Sequence, residues 1–209
     1  MKLFFTPGDL NIFSIPDFSG RMNAIKTQIR PKLEAIGDAM GPELLKVWGE
    51  EFFAHTAKHM RRTVNPPDET WVAFGPKPRG YKANIHLALC IGTAGAQARV
   101  IMKSESDLRP VLGRNLRTHL KFFKKHQKDF SSLRNYLRKD DSGEGEAVKD
   151  VGEFLEEQGR RLVELKSTTF DAGFPLKPSD TNLVKNCLQA FKTLKPLYLC
   201  GVKPGGGPR

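Results

Sequence analysis

The first strongly periodic stretch of the chain lies between residues 22 and 36. Its apolar side chains recur at spacings of three and four, which places them on one face of a helix. They are Met22, Ile25, Ile29, Leu33 and Ile36. Pro31 lies inside the stretch and lacks a backbone donor, so the sequence predicts a kink or a fresh helical start there. Residues 9–18, which precede it, are predicted to be an extended lead-in.

A second helix is predicted from Gly41 and Pro42, since proline suits the first helical position. The apolar pattern continues to Thr56 and puts His55 and His59 four residues apart on one helix face. The pair allows two interpretations: metal ligands or an acid and base beside a cleft, or two hydrogen-bonded histidines at the edge of the core. We favour the second, because no cysteine or carboxylate joins them locally.

Three β-rich runs follow, at residues 70–74, 85–91 and 96–102. Their composition predicts strands. Residues 92–95, with the sequence GTAG, have the length and composition of a hairpin turn. Strands in series with short turns favour an antiparallel sheet, so the predicted fold class is α+β.

Residues 107–128 are predicted to form a long helix with one apolar and one basic face. The basic residues are Arg114, Arg117, Lys121, Lys124, Lys125 and Lys128. Two interpretations stay open at this point. The face contacts nucleic acid or a membrane surface, or it is a solvated helix face that keeps the protein soluble.

The C-terminal part is predicted to continue the α+β pattern. An acidic, glycine-containing stretch at 140–146 is expected to be a mobile loop, and a helix is predicted for 147–158. Residues 160–170 have β-compatible composition. A last helix is predicted for 182–194, capped from residues 179–181.

Length and composition favour one domain. With 209 residues and 39% apolar content, residues 1–202 are predicted to form a single α+β domain, and the glycine- and proline-rich residues 203–209 a disordered tail. The three cysteines, Cys90, Cys187 and Cys200, suggest neither a disulfide framework nor a zinc site. No apolar run reaches the roughly 18 residues of a membrane span, and no signal peptide is recognisable. A cytoplasmic location is therefore expected, with no cofactor.

The net charge of +11 is unevenly distributed. Twelve lysines and arginines but only three acidic residues lie between residues 99 and 139. Such a concentration of positive charge attracts polyanions in a salt-dependent manner.

The candidate chemistry is concentrated between residues 55 and 86. The predicted ligand-binding residues are His59, Arg61, Arg62, Asn65, Arg79, Tyr81 and His86. Arginines near turns suit phosphate oxygens, and Tyr81 suits stacking on a base. The first hypothesis is therefore a binding module for an anion, either nucleic acid or a phosphorylated small molecule.

The alternative is an enzyme in which His59 is a general base, with His86 and the arginines assisting. A metal held by His55, His59 and His86 is a less favoured variant of it. No catalytic residue is assigned, because the chain lacks a phosphate loop, a nucleophile elbow and an HExxH motif.

Several short sequence motifs resemble those of the YktB-like family of uncharacterised bacterial proteins. They are RMNAIKT (21–27), RPKLEA (30–35), AKHMRRTVNPP (57–67), TWVAF (70–74), RGYK (79–82) and His86. The resemblance implies a fold like that of the TATA-binding protein, with helices packed on one face of a curved antiparallel sheet. It implies no activity.

Overall fold

The computed structural model describes residues 2–208, in which three α-helices and four strands are followed by two helices, two strands, a helix, a strand and a last helix. The α-helices are α1 (Pro7–Asn11), α2 (Phe18–Ala24), α3 (Arg30–Trp48), α4 (Arg109–Thr118), α5 (Leu120–Lys125), α6 (Val151–Glu164) and α7 (Leu183–Cys200). The strands are β1 (Phe53–Thr56), β2 (Glu69–Gly75), β3 (His86–Gly92), β4 (Gly95–Met102), β5 (Arg134–Lys139), β6 (Gly145–Ala147) and β7 (Phe170–Leu176).

The seven strands form one sheet in the order β1-β2-β3-β4-β7-β5-β6. Every neighbouring pair is antiparallel. The predicted α+β class with an antiparallel sheet is thereby confirmed, and the layout is consistent with an arrangement like that of the TATA-binding protein.

The two faces of the sheet differ in what covers them. Alternate strand residues such as Val72, Leu89 and Val100 are fully buried in the main core, together with residues of α3 and α7. The opposite face, here called the outer face, carries a separate small cluster of Ala73, Ala88, Cys90 and Ile101. This second face therefore has room for polar groups.

The N-terminal helical stripe is confirmed, and Pro31 coincides with an irregularity. Residues Ile25–Ile29 form a π-helical turn between α2 and α3. A wider turn accommodates a proline, which neither donates a hydrogen bond nor tolerates the carbonyl of the preceding turn. The extended lead-in is wrong: Thr6 and Asp9 form a capping box, which starts the short helix α1.

The predicted second helix is correct only as far as Trp48, and it is a continuation of α3 and not a separate helix. Helix α3 runs through Pro42 to Trp48 and ends at Gly49, whose φ of 72° lies in the left-handed region that glycine adopts readily. Residues Phe53–Thr56 then pair with β2 as a strand. His55 and His59 are consequently not neighbours on a helix, because strand pairing overrides the helical spacing.

Strands β2, β3 and β4 confirm the three predicted runs, with bounds that differ by no more than one residue. The predicted long basic helix is interrupted at His119, where the backbone leaves helical geometry between α4 and α5. Helix α6 begins at Val151, capped by Asp150, and continues to Glu164. The predicted extended segment at 160–170 is therefore helical in its first part.

The last helix is confirmed and extends beyond the predicted residue 194 to Cys200. Beyond it, the carbonyl of Lys203 accepts a hydrogen bond from Asn115 Nδ2 at 2.9 Å. The single domain and the disordered tail stay predictions. In the part of the chain that the structure describes, no helix is both long and apolar enough to cross a membrane.

Candidate functional site

The outer face carries a cluster of aromatic and histidine rings near β1. Trp71 Nε1 donates a hydrogen bond to the Tyr81 hydroxyl at 3.1 Å. The ring of His55 stacks on Tyr81 at 4.9 Å, and His86 meets the same ring at a right angle. His59 packs edge-on against Trp71 at 5.3 Å. The structure thus brings His59, Tyr81 and His86 into one cluster.

His59 has an unusual backbone. Its φ is 52°, and it is the only non-glycine residue with positive φ among residues 2–208. Conformations of this kind cost free energy and persist where surrounding contacts enforce them, often at functional sites. Here the ring is fixed by a hydrogen bond between His59 Nε2 and Thr70 Oγ1, which are 2.9 Å apart.

Three positively charged side chains from separate parts of the chain influence the pKa of His59. Burial and the positive charges of Arg62, Arg30 and Lys82 together lower the pKa of His59 to about 4, while Glu69 opposes them. His59 is therefore neutral at pH 7, and the electric field of all three positive charges reaches its ring.

Arg30 was not among the predicted site residues. It directly follows the π-helical turn, and its Nη2 donates to the carbonyl of Lys58 at 3.4 Å. Its Nε is buried and has no hydrogen-bond partner within residues 2–208. A π-helical turn is frequent at functional sites, but the sequence offered only Pro31 as a signal for it.

The remaining predicted residues lie around this cluster at the surface. Arg62 Nη1 donates to the carbonyl of Asn65 at 3.2 Å, so these two residues belong to one turn. Arg61 and Arg79 are exposed. Tyr81 is less suited to stacking on a ligand than predicted, because His55 already stacks on its ring.

His86 is enclosed, with 1% of its surface exposed. Its Nδ1 donates to the carbonyl of Asn84 at 3.0 Å. Burial lowers the pKa of His86 to about 4. A buried group cannot reach a substrate, and a histidine with so low a pKa is a weak general base at neutral pH. The hypothesis of a histidine-dependent enzyme thus gains no support from this geometry.

A second polar cluster on the outer face was missed entirely. Arg99, which is 1% exposed, forms a two-pronged ion pair with Glu69, with Nη–Oε distances of 3.2 and 2.7 Å. Arg99 also donates to Gln97 Oε1 at 2.7 Å, and its guanidinium lies 3.9 Å from the Tyr136 ring centre. Asp171 Oδ2 lies 3.5 Å from Arg99 Nη1.

Electrostatics fix the charge states of this cluster. Burial alone would raise the pKa of Glu69, but the charges and hydrogen bonds of Arg99 and Lys139 outweigh it and lower that pKa to about 2. Burial raises the pKa of Asp171 despite the nearby Arg99. The one sequence signal was a pair of polar residues, Gln97 and Arg99, two positions apart in an otherwise apolar strand.

A cavity of about 410 Å³ adjoins this cluster. Its lining includes Glu69, Gln97 and Lys139. The turn between β5 and β6 closes it from one side, since a side chain added at Gly143 would come within 2.9 Å of Thr93 Oγ1. The hairpin of β5 and β6 therefore reaches the turn between β3 and β4.

Two of the six residues predicted to contact nucleic acid lie against helix α6. Arg117 Nε donates to Glu156 of α6 at 2.9 Å, and the side chain of Lys124 packs beside Gly152 of the same helix. The other four predicted residues are exposed and form no ion pair within the described part of the chain. They are Arg114, Lys121, Lys125 and Lys128.

The histidines of the outer face are not grouped as a metal site. Across residues 2–208, no three side chains of His, Cys, Asp or Glu are grouped so that they could hold a metal ion.

Comparison with known proteins identifies relatives along most of the chain. A family model described as "Domain of unknown function (DUF1054)" matches residues 5–198. A UPF0637 protein of Lysinibacillus sphaericus is 32% identical over 94% of this chain and 95% of the relative. A UPF0637 protein of Staphylococcus carnosus is 34% identical over 92% of both chains. One from Bacillus mycoides is 48% identical over 45% of this chain and 44% of its own. These matches confirm the resemblance to the YktB-like family.

Proposed function

The chain belongs to the family of uncharacterised proteins described as DUF1054, and from that premise we propose that it is a binding module for a phosphate-bearing anion. The ligand is a phosphorylated small molecule or nucleic acid. The phosphate group is held beside His59 by Arg30, Arg62 and Lys82.

The combined electric field of three cations at one neutral histidine supports this proposal most strongly, together with the position of Arg30, whose Nη2 donates to the Lys58 carbonyl next to His59. Arg30 comes from the first long helix, Arg62 from the loop between β1 and β2, and Lys82 from the loop between β2 and β3. None of the three forms an ion pair with a carboxylate within residues 2–208. The fields of these unpaired cations overlap at His59, and a dianion bound there is attracted by all three.

The chemistry of each group suits phosphate. Arginine presents a planar fork that donates two hydrogen bonds to phosphate oxygens, and lysine adds a compact point charge. His59 is neutral and adds no further repulsion. Its strained backbone and its hydrogen bond to Thr70 keep the ring in place.

The direct test follows the His59 ring by NMR during a pH titration, with and without inorganic phosphate. A bound anion favours the protonated imidazole, so phosphate is expected to raise the pKa of His59 by on the order of one unit. The double variant R30Q/R62Q should abolish this response. The variant K46Q/K185Q removes two exposed charges elsewhere and should retain it.

An unchanged His59 titration in the presence of phosphate would contradict the proposal. Nucleotides and labelled oligonucleotides then distinguish the two ligand classes. Binding of nucleic acid through the four exposed cations of α4, α5 and the turn after them should weaken steeply with salt. It should be lost in K121E/K125E, whereas a small phosphorylated ligand should bind this variant normally.

A further inference from the structure

The loop at residues 57–68, between β1 and β2, carries the two most exposed large apolar side chains in the described part of the chain. Met60 is 84% exposed and Val64 is 74% exposed, whereas the next, Leu45, is 48% exposed. Single exposed apolar residues are common, but two of this degree at one loop tip indicate a contact surface.

The loop holds its tip in a fixed position. At its start, the Ala57 amide donates to the Trp71 carbonyl at 2.9 Å. At its end, Arg21 Nη1 donates to the Pro67 carbonyl at 3.3 Å. Between them, the Arg62 amide donates to the His59 carbonyl at 3.1 Å and forms a turn. The exposed side chains are therefore presented by an anchored loop.

Positive charge accompanies the apolar pair within this loop. Three of its side chains are cationic, exposed and without an ion pair to a carboxylate among residues 2–208: Lys58, Arg61 and Arg62. The carboxylate at the loop's end, Asp68, is already paired with Arg21 at 3.0 Å. The loop thus presents apolar and cationic side chains together.

We infer that this loop tip docks on the surface of an anionic phospholipid bilayer. Met60 and Val64 enter the boundary between headgroups and acyl chains, and the cations of the loop meet lipid phosphates. Apolar insertion combined with attraction to anionic lipid is the general basis of reversible membrane-surface binding.

The apolar pair favours a bilayer over nucleic acid. Nucleic acid would contact the cations through its phosphates. It would leave Met60 and Val64 exposed to water, unless the protein also unstacked the bases at an additional cost. A bilayer accepts both kinds of side chain at once. The inference stands apart from the phosphate site beside His59, because Met60 and Val64 take no part in that site. Of the cations of this loop, only Arg62 belongs to both.

Sedimentation with lipid vesicles tests the inference. The full chain is mixed with vesicles of phosphatidylcholine alone, or of phosphatidylcholine and phosphatidylglycerol in equal parts. We expect it to pellet with the anionic vesicles only. The variant M60S/V64S should bind them on the order of tenfold more weakly, because two apolar side chains no longer leave water. K58Q/R61Q, which removes two exposed cations of the same loop outside the phosphate site, should weaken binding by a similar factor.

Matched controls separate docking from general surface changes. L45S/V202S removes two exposed apolar side chains elsewhere and should bind like the wild type. M60S/V64S should retain its thermal unfolding midpoint and its His59 response to phosphate. Equal vesicle binding by M60S/V64S and the wild type would overturn the inference. So would a wild-type chain that binds oligonucleotides but no vesicles, since its partner would then be nucleic acid.

Discussion

The buried His86 makes a quantitative prediction about the pH dependence of stability. Its pKa is about 4 in the folded protein and 6.5 when exposed, so the unfolded chain binds more protons between these values. Stability must therefore rise with pH in this window and fall as the pH drops from 6.5 toward 4. The shift corresponds to about 3 kcal/mol in full, of which about 2 kcal/mol is lost by roughly pH 5.

The perturbation is His86→Gln, and the assay is urea unfolding of both proteins at pH 7 and pH 5. Other titrating groups act equally on both proteins, so the stability difference between them isolates His86. This difference should shrink by about 2 kcal/mol on going from pH 7 to pH 5. His59→Gln should behave similarly, since its pKa is also about 4. A difference that stays constant between the two pH values would show that His86 is not held neutral by burial.

Two further predictions concern the sheet. Gly173→Ala should destabilise the fold by about 1–3 kcal/mol, because the added Cβ would collide with the backbone of Ala98 and Arg99. Gly41→Ala is the matched control: its Cβ meets no atom within 4 Å, and alanine should stabilise helix α3 by about 0.5–1 kcal/mol in urea unfolding. Glu69→Gln leaves the buried guanidinium of Arg99 with only the more distant carboxylate of Asp171 and should cost about 3 kcal/mol, measured the same way. A cost below about 1 kcal/mol, which is typical of exposed pairs, would refute the importance of this ion pair.

The sequence predicted the centre of the fold well, for an identifiable reason. Strands β2, β3 and β4 are continuous β-rich runs bounded by glycine and proline, so composition and turn residues specify the same segments. The apolar stripe of the helix around Leu33 was equally clear from the spacing of its residues. These elements are determined by residues close together in the chain.

The errors occurred where distant partners decide the structure. Phe52 and His55 continue a helical spacing, yet pairing with β2 makes this segment a strand. Arg99 stood out only as a polar residue in its strand, and its partners were not predictable because Glu69 and Asp171 approach it from strands β2 and β7. Arg30 joins the candidate site because a π-helical turn precedes it, and spacing rules assume regular helices. The predicted site residues stay a prediction, to which the structure adds Arg30 as a candidate.

The position of β7 has a consequence for how the protein folds during its synthesis. Strands β1 to β4 form a meander from neighbouring segments, but β4 receives its second partner from β7, with Met102 facing Phe170. A growing chain can close the meander early, yet the apolar edge of β4 stays uncovered until β7 has been synthesised. Such contacts between remote segments slow folding, and an open strand edge promotes aggregation. We therefore expect the nascent protein to be most vulnerable to misassembly, and most dependent on chaperones, in the interval between these two strands.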